Sequence, residues 1–372
     1  MPFAFRFTLQ SMVLSLSLVC SGLLTVQSST SAINSFQSAD ESAVRAVVEK
    51  YFALFAGKDP DRLMSLWSEK APDFASVKQD LQRHLMTENY KLSLPTVSRV
   101  SVEGEKANLR ATFNLTTIDL ESHQQREQRI VRNLTLVWEN EKWKIWRSVP
   151  AVNDLAAALA EAADETKQER LLTQEKELMD SSLLVALNEV TAPLIQKGDF
   201  GKALKISQLA ARIAEMLGDR RGLGDALTDL GAIHGRQNLA TQALDYLQKS
   251  RVIYEETNDQ KGMARVLYEI GRVHLSQSRL DQAMEQFNRS LAISEAIGEK
   301  SLTALALNVI GIIHISQGRN HLALECYQKS RALSEALNDK VTLEKVLNNI
   351  GELYYREGPE RLRWYGRKLA MP

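Results

Sequence analysis

The second half of the chain repeats with a period of 40 residues, and this repeat constrains the fold more than any other feature. A Leu-Gly or Ile-Gly pair recurs at 230–231, 270–271, 310–311 and 350–351. A His or Tyr follows three residues after each glycine, at His234, His274, His314 and Tyr354. An alanine follows twelve residues after the first three glycines, at Ala243, Ala283 and Ala323. A fixed period of this kind indicates a solenoid, in which each unit buries its apolar face against its neighbours.

Each repeat is predicted to be a pair of antiparallel helices. From Leu227 to His234 the apolar residues have helical spacing, and Gly231 falls on the packed face. Because glycine costs a helix interior about 1 kcal/mol, its recurrence indicates close approach of a second helix near Ala243. A Gly or Asn followed by an acid also keeps the period, at Gly218, Asn258, Gly298 and Asn338. Gly and Asn readily adopt the left-handed conformation that ends a helix, and the acid can cap the next helix.

The segment Leu267-x2-Ile270-Gly271-x2-His274, followed by Ala283-x3-Phe287, resembles the tetratricopeptide repeat. Leu and His replace the Trp and Tyr of that family, and the longer period is similar to the subclass with an extended second helix. HEAT and armadillo repeats have similar periods, but the spacing of twelve from Gly to Ala argues against them. The array is predicted over 184–358, with repeats near 184–223, 224–263, 264–303 and 304–343 and an incomplete one at 344–372.

The resemblance implies that a protein or peptide partner binds along the inner face of the superhelix. The groove positions that it implies as partner-binding are Arg236, Arg265, Tyr268, Arg272, Asn308, Lys345, Asn348 and Arg356. Five of these are basic, against the acids Asp225 and Glu352, so an acidic or phosphate-bearing segment is the expected partner. Arg265 and Arg272 are expected to face the solvent. Tyr268 and Asn308 are expected to be available for stacking and hydrogen bonding. The Lys/Asn clamp that some members use for C-terminal carboxylates is not matched.

Residues 40–150 are predicted to form a separate α+β domain. Three helices are expected, at Ala43–Phe55, through Leu63 and Trp67, and at Phe74–Leu85. After Leu94-Pro95 the apolar period changes to two, which indicates strands, and 139–142 is predicted as a hairpin turn. Helices followed by a curved antiparallel sheet resemble the nuclear-transport-factor-2-like (NTF2-like) cone. That superfamily includes enzymes and inert modules, so the fold leaves the function open.

The alternating strand positions of this domain are aliphatic or aromatic, with Arg132 and Arg147 the charged exceptions. His84 and His123 have no evident partner in the sequence. These features favour a packed interaction module, with a small-ligand pocket and an enzyme as the alternatives. No catalytic residue and no cofactor is predicted.

Two clusters in the repeats suggest chemistry but are better explained by packing. A shared metal ion would need the nitrogens of His234, His274 and His314 within about 2.1 Å of it. Packed helices lie about 8–10 Å apart, so these histidines cannot share one ion, and no metal site is predicted. Cys326 and His321 are five residues apart and do not face each other on a helix. With Cys20 as the other cysteine, no disulfide framework is expected.

Residues 1–32 have the features of a signal peptide: Arg6, the apolar stretch Met12–Leu24 and the small residues Thr30-Ser31-Ala32. The stretch is shorter than the roughly 20 residues of a membrane span. Export to the periplasm or the extracellular space is therefore predicted, with an uncleaved membrane anchor as the alternative, and 33–39 is predicted as a linker. The chain has 46 basic and 46 acidic residues, so its overall charge does not favour nucleic acid as a partner.

Residues 151–183 are predicted to be a helical connector. The order of the segments is similar to the N-terminal halves of bacterial proteins that end in a caspase-like CHAT protease domain, and no such domain follows here. The expected fold is thus mainly α, a helical-hairpin solenoid preceded by a small α+β cone. The expected function is a non-enzymatic scaffold or adaptor. The alternatives are a ligand-binding or enzymatic cone with a repeat tail, and a truncated remnant of the CHAT proteins. The incomplete last repeat predicts fraying or self-association.

Overall fold

The computed structural model describes residues 27–85, 90–118 and 125–357, and the chain forms two compact units that divide after Ser148. Most of the predicted signal peptide and the segment that holds His123 lie outside the described residues. The same is true of the end of the fifth repeat after residue 357. Among the described helices, none is both long and apolar enough to cross a membrane.

The first helix of the first unit, α1 (Gln27–Ala56), is longer than predicted. It runs through the expected cleavage site and through 33–39, so the segment predicted as a linker is helical. This stretch contains neither glycine nor proline, the residues that most often interrupt a helix. The apolar stripe Val44, Val48, Tyr51 and Phe52 is buried in the core of the unit.

Two further helices and a curled sheet complete the first unit. The elements are α2 (Pro60–Met64), α3 (Phe74–Leu85), β1 (Tyr90–Leu92), β2 (Thr96–Glu103), β3 (Lys106–Ile118), β4 (Gln125–Glu139) and β5 (Lys142–Pro150). The strand order is β1-β3-β4-β5, and β2 also pairs with β3. In the antiparallel register of β3 and β4, Phe113 is opposite Ile130 and Ala111 is opposite Arg132. The predicted α+β organisation is confirmed.

The turn between β4 and β5 is the predicted hairpin. Its two central residues, Asn140 and Glu141, have positive φ values of 51° and 60°. Both central residues of a type I′ turn need positive φ, because the backbone twist of that turn matches the twist of the strands it joins. Asn at the first position is therefore favourable, whereas Glu at the second position is strained.

The second unit consists of helices. It begins with α4 (Ala151–Ala160), α5 (Glu165–Gln174) and a 3-10 turn (Lys176–Leu178). The first four helix pairs of the array follow as α6 (Ser181–Lys197) with α7 (Phe200–Leu217), α8 (Arg220–Arg236) with α9 (Ala240–Thr257), α10 (Gln260–Ser276) with α11 (Leu280–Ala296), and α12 (Lys300–Ser316) with α13 (Asn320–Ala336). The last described helix is α14 (Lys340–Glu357).

The segment predicted as a connector is part of the array. Helix α4 packs against α6 and α7, with Leu155 and Leu159 buried. On α5, the buried Gln168 donates a hydrogen bond of 3.3 Å to the carbonyl of Leu159. These elements therefore cover the first helix pair, as capping segments do in solenoids.

The joints between repeats have the predicted left-handed conformation. The φ values are 66° at Gly218, 53° at Asn258, 70° at Gly298 and 54° at Asn338. The acid after three of these joints caps the next helix: the carboxylates of Asp219, Asp259 and Asp339 accept from backbone N–H groups at 2.8, 2.9 and 3.1 Å. Glu299, with a longer side chain, makes no such bond. Each helix pair after the first begins directly after one of these left-handed residues and its acid. These pairs therefore begin about four residues earlier than predicted.

The recurring glycines allow the two helices of each repeat to approach closely, as predicted. A Cβ on Gly231, Gly271 or Gly311 would lie 2.5, 2.9 or 2.4 Å from the side chain of Leu247, Phe287 or Tyr327. The side chains that contact these glycines thus belong mainly to the residues four positions after Ala243, Ala283 and Ala323. At Gly351, by contrast, an added Cβ would meet no described atom within 4 Å.

A buried serine joins the two helices within each of three repeats. The hydroxyls of Ser250, Ser290 and Ser330 donate to the backbone carbonyls of Gly224, Ala264 and Ala304 at 2.8, 2.7 and 2.6 Å. All three serines are fully buried. These serines keep the 40-residue period, so this contact has a signal in the sequence beside the Gly and Ala positions.

Candidate binding sites

The predicted groove residues all lie on the first helices of their repeats. Arg236 is on α8, Arg265, Tyr268 and Arg272 are on α10, Asn308 is on α12, and Lys345, Asn348 and Arg356 are on α14. Their surroundings differ along the array. The residues on α8 and α10 are paired or buried, whereas several on α14 are exposed.

Arg265 is held by two carboxylates of the preceding repeat. Its guanidinium lies 3.4 Å from Asp225 and donates a shorter hydrogen bond to Asp229, whose side chain is 3% exposed. Burial alone would lower the pKa of Arg265, but the charge of Asp229 raises it above its ordinary value. The Arg265 side chain, expected to face the solvent, is 38% exposed, but its guanidinium is already paired because the buried Asp229 requires a cation beside it.

Arg236 and Arg272 share a third acid. The guanidinium nitrogens of Arg236 and Arg272 lie 3.7 and 3.3 Å from the carboxylate of Glu269. Arg272, also expected to face the solvent, is half-buried and is likewise already paired. Asp229 and Glu269 are one repeat apart, and this recurrence of an acid is the sequence signal for the paired arginines. Three arginines thus face three acids here, and this part of the groove is neutral.

Tyr268 and Asn308 are structural residues. Both are buried, and the Tyr268 ring packs edge-on against Phe287 at a centroid distance of 5.5 Å. Burial raises the pKa of the Tyr268 hydroxyl to about 12. The side-chain oxygen of Asn308 accepts a hydrogen bond of 2.8 Å from Asn349. The expectation that these two residues are available to a ligand was wrong, since both are already in contact with side chains of neighbouring helices.

The open part of the predicted groove lies between α12 and α14. A cleft of about 210 Å³ is lined there by Ile312, Ile315, Ser316, Tyr327, Asn349, Glu352, Leu353 and Arg356. Ile312 is 36% exposed. Arg356 forms an exposed ion pair of 2.5 Å with Glu352, and Lys345 and Asn348 are exposed on the same helix. The cleft therefore combines apolar walls with a charged rim.

The three histidines of the repeats are half-buried between helices. Burial lowers the pKa of each, and within the described structure the Nδ1 atoms of His234, His274 and His314 have no hydrogen-bond partner. The His234 ring stacks on Tyr246 at a centroid distance of 5.4 Å. Among the described residues, no three potential ligand side chains lie close enough to hold a metal ion. Burial also raises the pKa of the Cys326 thiol, which makes the reactive thiolate scarcer.

The first unit contains a partly open cavity of about 400 Å³ among α1, α3 and the sheet. Most of its walls are aromatic or aliphatic, including Tyr51, Phe52 and Phe113. One charged side chain of the sheet, Arg132, also lines it, and its Nε and Nη2 atoms donate to Ser148 Oγ at 2.9 Å and to the Ser148 carbonyl at 2.6 Å. The interior of the first unit is thus not fully packed.

Comparison with known families identifies the repeats. Residues 226–296 and 303–340 match models described as tetratricopeptide repeat. Residues 46–155 match the model of the C-terminal domain of anti-sigma-I factor RsgI9. No curated protein sequence matches the chain. The chain therefore contains tetratricopeptide repeats, as its motifs indicated.

Solved structures with similar folds include repeat proteins and NTF2-like proteins. BtubC (BKLC) from P. vanneervenii has 14% identity and a TM-score of 0.38, over 57% of this chain and 94% of that one. Aspartyl phosphate phosphatase F from Bacillus subtilis has 18% identity and a TM-score of 0.43, over 57% of each chain. A putative dehydratase of the NTF2-like family from Streptomyces avermitilis has 15% identity and a TM-score of 0.26, over 30% of this chain and 95% of that one. Similarities at this level carry no functional assignment.

Proposed function

We propose that the chain is a non-enzymatic scaffold whose tetratricopeptide repeats bind a segment of a partner protein in the cleft between α12 and α14. The observation that carries the proposal is the exposed apolar side chain of Ile312 in a cleft with a polar rim. A partly buried apolar surface that is surrounded by polar groups is typical of protein-binding sites.

We place the binding site in this cleft because the groove side chains on α8 and α10 already contact one another or neighbouring helices. On α8 and α10, arginines and acids neutralise one another, and Tyr268 is packed against Phe287. A partner would have to break these contacts before it could form its own. In the cleft, an apolar side chain of the partner would instead cover Ile312 and gain burial at about 25 cal/mol per Å².

The expected preference for acidic partners becomes weaker but does not disappear. Asp225, Asp229, Glu269 and Glu352 pair with four of the five basic groove residues, Arg236, Arg265, Arg272 and Arg356, so the excess of positive charge is small. Lys345 and Arg356 are both exposed on α14, and Arg356 lines the cleft. An exposed ion pair such as Arg356 with Glu352 contributes roughly 0–1 kcal/mol, so Arg356 can exchange its partner at little cost. We therefore expect an apolar anchor residue with a neighbouring acid.

A peptide library displayed on phage tests this proposal with the full chain as bait. Peptides selected on the wild-type chain are measured by fluorescence polarisation against Ile312→Asp and against Val252→Asp. Val252, on α9, is a matched control because it is 40% exposed and also aliphatic. We expect Ile312→Asp to weaken binding at least about tenfold, because the charge is desolvated by the bound peptide.

Val252→Asp is expected to bind the same peptides as the wild type does. Equal binding by all three chains would place the interaction outside the cleft and reject the proposal. A selection without any binding peptide, repeated at low salt, would also count against it.

Self-association through the last repeat is a further part of this proposal. On α14, Val346 and Leu353 are buried, but Leu347, Tyr354 and Tyr355 are exposed. We expect sedimentation velocity to show a concentration-dependent dimer that is lost in the double variant Leu347→Ser, Tyr355→Ser. Met216→Ser on α7, which also removes an exposed apolar side chain, should leave the dimer intact. A monomer at all concentrations would reject self-association.

Export also remains a proposal, since its basis is the composition of residues 1–32. Expressed in a bacterium, the chain should lose about 32 residues and leave the cytoplasm. The intact mass and the cell fraction test this. A full-length chain in the membrane fraction would favour the uncleaved anchor, and a full-length chain in the cytosol would contradict both.

A further inference from the structure

We propose that the cavity of the first unit binds a small amphipathic carboxylate, whose charged group pairs with Arg132 and whose apolar body lies among the aromatic side chains. This inference concerns a different unit from the proposed protein-binding cleft. It does not depend on that proposal.

The position of Arg132 on the sheet is the first step. On the same face of β4 it lies between Ile130 and Leu134, in a series where an aliphatic residue would continue the core. The residue opposite on β3 is Ala111, which is fully buried and leaves space beside the arginine. Burying a guanidinium costs free energy unless charges or hydrogen bonds compensate for it, so an arginine here needs an explanation.

The partners of Arg132 do not supply a charge. Its hydrogen bonds go to the hydroxyl and the carbonyl of Ser148, and both groups are neutral. In 40–82, 91–118 and 125–356, where side chains are described, no carboxylate forms an ion pair with Arg132. A carboxylate in the cavity would provide the missing counter-charge, and the planar guanidinium is suited to hold it through two parallel hydrogen bonds.

The walls of the cavity determine the rest of the ligand. Phe52 and Phe113 pack with ring centroids 4.5 Å apart, and Tyr51 lines the same space. Burial raises the pKa of Tyr51, so its hydroxyl stays protonated and adds no negative charge beside Arg132. A volume of about 400 Å³ is within the usual range for small-molecule sites. The ligand should therefore have an aromatic ring or a short alkyl chain.

The charge balance favours a carboxylate over a phosphate. One guanidinium neutralises one negative charge, whereas a phosphate monoester carries about two at neutral pH. Asp80 also lines the cavity, but it is exposed. Its charge is therefore screened by solvent and salt, so it neither neutralises Arg132 nor excludes a single carboxylate.

Paired probes test the proposal by isothermal titration calorimetry of the full chain. The charged probes are 4-phenylbutanoate and octanoate, and the neutral ones of the same shape are 4-phenylbutanamide and octanamide. We expect at least one acid to bind about tenfold more tightly than its amide. Equal affinity within a pair, or no binding of any probe to the wild-type chain, would overturn the proposal.

Three variants locate the site. Arg132→Gln should abolish the preference for acid over amide, while Asp80→Asn, the control at the same cavity, should retain or strengthen it. Leu115→Trp, which fills the cavity while leaving Arg132 in place, should prevent the binding of both probes. A preference that survives in Arg132→Gln, or binding that survives in Leu115→Trp, would place the ligand elsewhere. Circular dichroism shows whether each variant is folded. If Arg132→Gln is unfolded, the proposal is decided by the ratio of acid to amide affinity in the wild-type chain and by the loss of binding in Leu115→Trp.

Discussion

The guanidinium of Arg265 on α10 donates a hydrogen bond to the carboxylate of Asp229, which is buried on α8 of the preceding repeat. Within a repeat, the two helices are joined by a glycine that packs against a large side chain and by a serine that donates to a backbone carbonyl. This ion pair thus joins two neighbouring repeats. In a solenoid, the stability depends on such interfaces as much as on the units themselves.

Arg265→Ala should destabilise the array by roughly 3 kcal/mol, because it leaves Asp229 buried without its cation. Urea unfolding followed by circular dichroism measures this difference. The double variant Arg265→Ala, Asp229→Asn should recover part of the loss, since the uncompensated charge is then absent.

Arg272→Ala is the control for this prediction. Its ion pair with Glu269 lies on the same helix, and Arg236 remains near that acid, so the cost should be below about 1 kcal/mol. Equal losses in the two alanine variants would show that burial of Asp229 is not the reason for the effect.

Gly311→Ala and Gly351→Ala should have opposite effects on the free energy of unfolding. At Gly311 a Cβ would lie 2.4 Å from the Tyr327 ring, and the overpacking should cost about 1–3 kcal/mol. At Gly351 the added methyl group meets open space in the described structure. Because alanine has a higher helix propensity than glycine, this change should stabilise the array by up to about 1 kcal/mol. Thermal unfolding of both variants distinguishes the two cases. Destabilisation by Gly351→Ala would indicate a close neighbour there.

Glu141→Gly should stabilise the first unit by roughly 0.5–1 kcal/mol, because glycine adopts the positive φ of 60° without strain. Gly104→Ala is the matched opposite, since Gly104 has a φ of 59° in the β2–β3 turn and open space around it. It should cost about 1 kcal/mol. Denaturant midpoints measured with tryptophan fluorescence test both changes, and a shift of the same sign in both would contradict the explanation by backbone strain.

The array should lose stability as the pH falls below about 6.5, the ordinary pKa of histidine in an unfolded chain. Burial lowers the pKa of His234, His274 and His314 in the folded state. Below pH 6.5 the unfolded chain therefore binds protons that the folded chain does not, so acid favours unfolding until the folded pKa values are passed. Melting temperatures from pH 8 to 5.5 should fall less steeply when all three histidines are replaced by Gln. Parallel curves would exclude the histidines as the cause.

Much of the array could be predicted from the sequence because its determinants are local. The left-handed joint at Asn258 and the cap at Asp259 depend on neighbouring residues, and the period repeats the same signal several times. The alternation in β3 and β4 likewise predicted the sheet. The boundary of α1 could not be predicted in the same way, because a polar segment without glycine or proline is compatible with both a linker and a helix.

The candidate sites were less predictable because they depend on contacts distant in the sequence. Arg265 belongs to a groove position, but its exposure is determined by Asp229, 36 residues earlier. The sequence showed Arg132 only as a charged exception among the apolar alternating positions of the strands. The cavity beside it arises from the curvature of the strands and the position of α1, which no single segment of sequence specifies.

The joints between repeats also bear on how this array can change over generations. Each joint is a left-handed residue followed by an acid, at Gly218-Asp219, Asn258-Asp259, Gly298-Glu299 and Asn338-Asp339. A deletion or duplication that runs from one joint to another leaves every helix whole and every buried serine opposite its carbonyl. Unequal recombination within the gene can therefore lengthen or shorten the protein by one helix pair at a time, without any intermediate that has a broken repeat.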